Sequence, residues 1–175
     1  MRKLIAVGLV ILLNGCTLWK FGGVEANTNI NGNVESRCTV NTDTAGYYGN
    51  PNAYTLTTVP ASAGQLPIVR IDTSLANAYK AQISYPTSFS ASPSLSDTTV
   101  WTGAVAVVQT STSDMSGYQA ASSTANGGAM RIYALTKAGA TWFSVASVAV
   151  YGGGQQKPFP DGSYTSIVVA ECIAQ

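Results

Sequence analysis

The chain holds three cysteines, eight carboxylates and no histidine, and these decide what chemistry is open to it. Without histidine there is no Ser-His-Asp or Cys-His pair, the commonest zinc sites are gone, and so is the usual general base at neutral pH. The acids Glu25, Glu35, Asp43, Asp72, Asp97, Asp114, Asp161 and Glu171 are dispersed, and their spacing suggests no glycosidase pair. Asn41-Thr42-Asp43 and Asp161-Gly162-Ser163 put oxygen atoms in loops but lack the repeated acidic spacing of a calcium loop. Side chains of this kind bond their own backbone in turns. Gly152-Gly153-Gly154 is no phosphate cradle, since neither a helix nor Lys-Ser/Thr follows it. The expectation is a protein that is not an enzyme and takes no metal and no cofactor.

The cysteines point to export. Arg2 and Lys3 precede an apolar run from Leu4 to Leu13, the layout of a bacterial secretory signal over residues 1–15, and the run is too short to cross a bilayer as a helix. Leu13-Asn14-Gly15-Cys16 resembles a lipobox, in which Cys16 is acylated and becomes the first mature residue. The competing cleavage site is Val24-Glu25-Ala26, with cleavage after Ala26. Acylation would give a stable membrane anchor, since a bacterial lipoprotein carries several acyl chains. Either way Cys38 and Cys172 remain as an even pair in an oxidising compartment, and a disulfide from the first strand to the last is the expectation.

Composition narrows the partners. Nine basic residues, two of them in the leader, stand against eight acidic ones, so no charge imbalance favours nucleic acid. Only 10% of residues are charged, well below the usual quarter, so the surface is polar and mostly neutral. The mature length, about 150 residues, suffices for one domain with a sizeable core.

The elements that must position these residues read as strands. From Val24 to Val40 one parity holds Val24, Ala26, Thr28, Ile30, Gly32, Val34, Ser36, Cys38 and Val40, and the other is mostly Asn and Glu. This predicts a half-buried strand over residues 24–40. A loop over residues 41–52 follows, carrying Tyr47 and Tyr48 as candidate ligand contacts, either stacked on a sugar or lining a subunit contact. Further strands are predicted over 53–59, 66–73, 79–85, 100–110, 129–135, 141–151 and 163–173, with a surface excursion over 111–128. Residues 136–140 suit a β-hairpin turn. Trp101, Tyr133, Trp142, Phe143 and Tyr164 fall in predicted strands and are expected in the core. The last segment is largely apolar on both faces, with Tyr164, Val168, Ala170 and Cys172 on one and Ile167, Val169 and Ile173 on the other, so it belongs inside a sandwich or under a covering strand. The fold class expected is all-β: an immunoglobulin-like two-sheet β-sandwich formed by residues 24–175 as a single domain, with the N-terminal strand folded in or donated.

The run from Asn29 to Val40, NINGNVESRCTV, resembles the N-terminal strand and first cysteine of the spore coat protein U-like family, which includes archaic chaperone–usher pilins. Pro160 to Val169, PDGSYTSIVV, resembles the last strand of the same family. The resemblance implies an incomplete sandwich completed by the N-terminal segment of the next subunit, with a periplasmic chaperone holding it before export. It implies donor side chains at Ala26, Thr28, Ile30, Gly32 and Val34. Main-chain bonds would give affinity and alternate side chains would fill pockets in the neighbour.

Two functions are carried forward. One is a structural subunit of an extracellular filament or coat, partnered by identical or related subunits. The other is a lipid-anchored or secreted binding module for a glycan or a protein, touching a membrane only through an acylated Cys16. Both put the protein outside the cytoplasm, at the cell surface or beyond, as an outer-membrane lipoprotein if Cys16 is acylated.

Overall fold

The computed structural model describes residues 32–33, 35–111, 120–125 and 129–175. Within the unit spanning residues 34–175 two antiparallel sheets pack face to face as an all-β sandwich. The strands are β1 (Cys38–Thr44), β2 (Gly49–Asn52), β3 (Thr55–Thr57), β4 (Ile68–Thr73), β5 (Tyr79–Ser84), β6 (Thr99–Thr110), β7 (Ala120–Ala125), β8 (Met130–Leu135), β9 (Gly139–Tyr151) and β10 (Val169–Ala174).

The first sheet is organised by β9, the longest strand. On one side β6 runs beside it from Thr99↔Tyr151 to Thr110↔Thr141. Its other side is shared, with β4 covering Gly139 to Ser144 and β3 covering Val148 to Val150. β1 adds outside β4 and β2 outside β3. The second sheet has the order β10-β5-β8-β7, which makes β10 an edge strand.

Strand alternation builds the core. Val69 and Ile71 of β4, Val105 of β6, and Phe143 and Val145 of β9 point inward from the first sheet, against Ala81, Ile83, Tyr133 and Leu135 of the second. The rings of Tyr133 and Phe143 meet 4.9 Å apart, and the Tyr133 hydroxyl donates to the Val105 carbonyl at 2.7 Å. That bond satisfies a phenol buried between apolar strands, and burial pushes its pKa above the usual tyrosine range.

The Cys38–Cys172 disulfide expected from cysteine count is present, with Cα atoms 6.3 Å apart. It joins the edge strand of one sheet to the edge strand of the other, across 134 residues of sequence.

Several boundaries differ from the sequence reading. The strand predicted over 24–40 enters the ladder only at Cys38, and residues 32–33 and 35–37 lie outside any strand. β1 then runs on to Thr44, into the predicted loop, because Asn41 to Thr44 find partners along β4 that outweigh their turn preference. The 136–140 segment is not a hairpin: β8 lies in the second sheet and β9 in the first. The Thr73 hydroxyl, at 3.2 Å from the Lys137 carbonyl, and Gly139 at φ 128° turn the chain across the sandwich. The last strand begins at Val169 rather than Ser163, since β5 stops at Ser84, two residues before Pro86, and offers nothing further to pair with. Of the aromatics expected in the core, Phe143 and Tyr133 are buried there. Trp142 faces outward instead, beneath the Arg70 guanidinium at 5.0 Å and donating to Asp43 at 3.1 Å.

Breaking the disulfide removes a cross-link over a loop of more than a hundred residues, worth roughly 5 kcal/mol in the chain-entropy model. Denaturant unfolding of Cys38→Ser/Cys172→Ser against the oxidised protein is expected to show a loss approaching that size. Phe143→Ala empties the centre of the core and is expected to cost about 3–5 kcal/mol in the same assay.

Candidate functional site

The two sheet edges joined by the disulfide do not pair with each other. β1 bonds only β4, and β10 bonds only β5, so among the described residues each keeps one side of its backbone without a strand partner. The strands are held at one end by Cys38–Cys172. A groove of about 470 Å³ opens between the end of β1 with the loop after it, through Thr42 and Thr44 to Tyr48, and the segment that leads into β10, Tyr164 to Val168.

Its floor is set by a break in the first sheet. β3 and β4 are consecutive in sequence but cover different halves of β9, with residues 58–67 making an excursion between them. Thr58 and Pro67 bracket the gap, Thr58 donating its amide to the Ser147 carbonyl and Pro67 accepting from the Val145 amide. The Thr58 hydroxyl also accepts from the Ser147 amide at 2.9 Å. Val69, Thr58 and Ser147 therefore line the groove from below.

The open end is braced by aromatic rings. Phe89 contacts Trp101 at 4.7 Å, Tyr164 at 5.0 Å and Tyr48 at 6.3 Å between centroids. Phe159 stacks on Tyr151 and touches Tyr164. The Tyr48 and Ser166 hydroxyls are hydrogen-bonded across the mouth of the groove. Tyr164 donates to the Pro160 carbonyl at 2.6 Å, and its pKa is raised, by burial first and then by nearby Tyr151 and Asp161. Gly49 follows Tyr48 so tightly against the Pro60–Ser62 turn that a Cβ there would lie 2.0 Å from the Ser62 carbonyl oxygen.

Lys157 fastens this region to the loop before β6, with its ammonium 2.6 Å from Asp97. The Lys157 side chain and the Thr98 amide, both bonded to the carboxylate, lower the Asp97 pKa, and Asp97 in turn raises that of Lys157.

Facing the solvent, β10 and its approach expose Ile167 (63%), Val169 (47%) and Ile173 (39%). The strand expected to be covered on both faces is covered only on the face carrying Val168, Ala170 and Cys172.

Of the residues singled out from sequence, Cys38 and Cys172 are joined, and Tyr47 and Tyr48 both line the groove. Tyr47 is the more exposed, at 57%. Gly32 is exposed, and a Cβ on it would meet nothing within 4 Å, so no close approach is seen there. Cys16, Ala26, Thr28, Ile30, Val34 and the predicted leader lie outside the described residues. Thr58 and Ser147 were not singled out: each is a lone hydroxyl in an alternating strand, and only the split pairing of β9 gives them a role. No family model, curated protein or solved structure matches the chain.

The Asp97–Lys157 pair sets a pH window. Asp97 has a depressed pKa, so its contribution holds above its unfolded value and is lost as pH falls through the folded one. Lys157 has a raised pKa, so its contribution holds below its unfolded value and is lost as pH rises through the folded one. Both groups are solvent-accessible, so the effect on global stability is small. The local readout is hydrogen-exchange protection of the Lys157 amide, which bonds the Tyr151 carbonyl. On acidification this protection is expected to fall below the ordinary Asp range, and in Asp97→Asn to be low and independent of pH throughout.

Proposed function

We propose that the protein is a non-enzymatic structural subunit of an extracellular filament or coat, assembled by strand donation. The residues Ala26, Thr28, Ile30, Gly32 and Val34 of one copy enter the groove of the next, between the end of its β1 and the segment leading into its β10. One observation carries the reading: β1 and β10 are edge strands that each keep an unpaired backbone side among the described residues, and the groove opens where the end of β1 faces the segment leading into β10, an arrangement that can accept an added strand.

The residues just before β1 are held at its disulfide end. Arg37 and Glu35 are tied to Ser74, through Arg37 N to Ser74 Oγ at 2.8 Å and Ser74 Oγ to the Glu35 carbonyl at 2.8 Å. Ser36 bonds the Tyr79 hydroxyl at 2.8 Å. These bonds hold Glu35, Ser36 and Arg37 at the disulfide end of β1, whereas the groove is lined by Thr42 and Thr44 at the far end.

The resemblance of the two chain ends to the spore coat protein U-like family agrees with strand donation, as does the export signal read over residues 1–15. A periplasmic chaperone would cover the groove and the exposed β10 side chains before assembly. An acylated Cys16 would fix a subunit to the outer membrane at the base of such a structure.

Unheated exported protein is expected to run as an SDS-resistant ladder, and deletion of residues 24–33 to collapse the ladder to monomer without unfolding the sandwich. A wild-type protein that stays monomeric at high concentration would sink the proposal.

A second reading, glycan binding, is favoured by a hollow of about 460 Å³ beside the groove, where Asn50, Asp161 and Ser163 share the lining with Tyr47. An aromatic face next to carboxylate and amide groups suits a sugar ring. Glycan-array binding lost in Tyr47→Ala is the result expected of it.

A further inference from the structure

The first sheet has a second free side. β6 pairs with β9 alone, and at 12 residues it is longer than the edge strands β1, β2, β7 and β10. Proteins blunt such edges with charge, proline or shortness. β2 is four residues long and holds Pro51, and β10 holds Glu171 near its middle. β6 has none of these: no charged residue and no proline lies between Asp97 and Asp114, and Val100 and Val108 stand 49% and 53% exposed.

The backbone of β6 is only half used. The Gly152 amide bonds the Thr98 carbonyl, and in the register of β6 with β9 this makes Val100, Thr102, Ala104 and Ala106 the residues bonded to β9. Thr99, Trp101, Gly103, Val105 and Val107 therefore aim their amides and carbonyls at the open side. Among the described residues only the Val105 carbonyl is taken there, by the Tyr133 hydroxyl, and a carbonyl oxygen has a second lone pair. Beside this row the outer face shows Val100, Thr102, Ala104 and Ala106, all exposed, short and uncharged.

We infer that β6 is a contact between copies of the chain, in which two β6 strands pair antiparallel about a two-fold axis at Ala104. The charge pattern selects the occupant. A second copy brings the same neutral row, so no like charges meet, whereas β10 paired with itself would bring two Glu171 carboxylates close together. The register follows from the free backbone groups and the exposed valines. Odd-numbered residues must face odd-numbered ones, and centring on Ala104 sets Gly103 opposite Val105 and Trp101 opposite Val107. It also sets Val100 opposite Val108 of the other copy. Val108 is the extra residue of the bulge between Val107 and Gln109, with no counterpart on β9, and a bulge re-aims the side chain it carries. The contact goes beyond strand donation, which links copies head to tail. An isologous β6 contact joins two such rows side by side.

The test uses full-length exported protein carrying Ala104→Cys, Thr102→Cys or Ala106→Cys, mildly oxidised and run on heated, non-reducing gels. Across the axis the two residues 104 form a non-hydrogen-bonded pair with Cα atoms about 4.5 Å apart, within reach of a disulfide. Ala104→Cys is expected to give a covalent dimer of twice the subunit mass, at least about fivefold more than Thr102→Cys alone, whose copies stand several residues apart along the strand. Thr102→Cys co-expressed with Ala106→Cys is expected to restore the dimer, since these positions face each other. Adding Val100→Lys to Ala104→Cys is expected to suppress it, as a charge at the edge blocks pairing. Equal cross-linking at 102 and 104, no dimer from Ala104→Cys, or a cross-linked product of another mass would overturn the inference. The same samples run unheated report the strand-donated ladder, so loss of the ladder counts against strand donation alone, and loss of the cross-link against the β6 contact alone.

Discussion

One covalent bond determines how the two sheets meet. Cys38 stands at the start of β1 and Cys172 near the end of β10, and among the described residues their link is the one covalent tie between these two edges. The bond sits at one end of β1, and the groove opens at the other, beside Thr42 and Thr44, with the exposed Ile167 in its lining. A sandwich whose first and last strands paired along their length would have no such opening.

The second constraint is the split partner of β9. A strand of 13 residues is longer than β3 or β4 can cover, so the two share it and the chain between them loops out. The backbone groups left at the join must be satisfied, and Thr58 does this with both its amide and its hydroxyl. The consequence is local: a patch of polar atoms in the floor of an otherwise apolar interior, placed where the groove is open.

Much of the sandwich was readable from residue patterns, and the reason is visible in the core. Ile68 to Thr73, Tyr79 to Ser84 and Gly139 to Tyr151 alternate because one face of each is buried, so periodicity and register carry the same information. The disulfide followed from parity of cysteine number. What could not be read was anything decided by pairing between distant segments. Residues 136–140 have the composition of a hairpin turn, yet β8 and β9 part to opposite sheets because Tyr133 and Phe143 pack across the core and not side by side. The apolar outer face of β10 suggested a covering strand, and no described residue supplies one. Thr58 and Ser147 carried no signal at all, since a hydroxyl gains meaning only from the backbone it faces.

The tethering of Glu35 to Arg37 beside the disulfide has a mechanical consequence. A pull on the chain ahead of Glu35 first loads the bonds to Ser74, then arrives at Cys38. From there a disulfide passes it directly to Cys172 and the last strand, past 134 residues of intervening chain. The disulfide thus offers tension a short covalent route between two edge strands, in parallel with the ladders that tie β1 to β4 and β10 to β5.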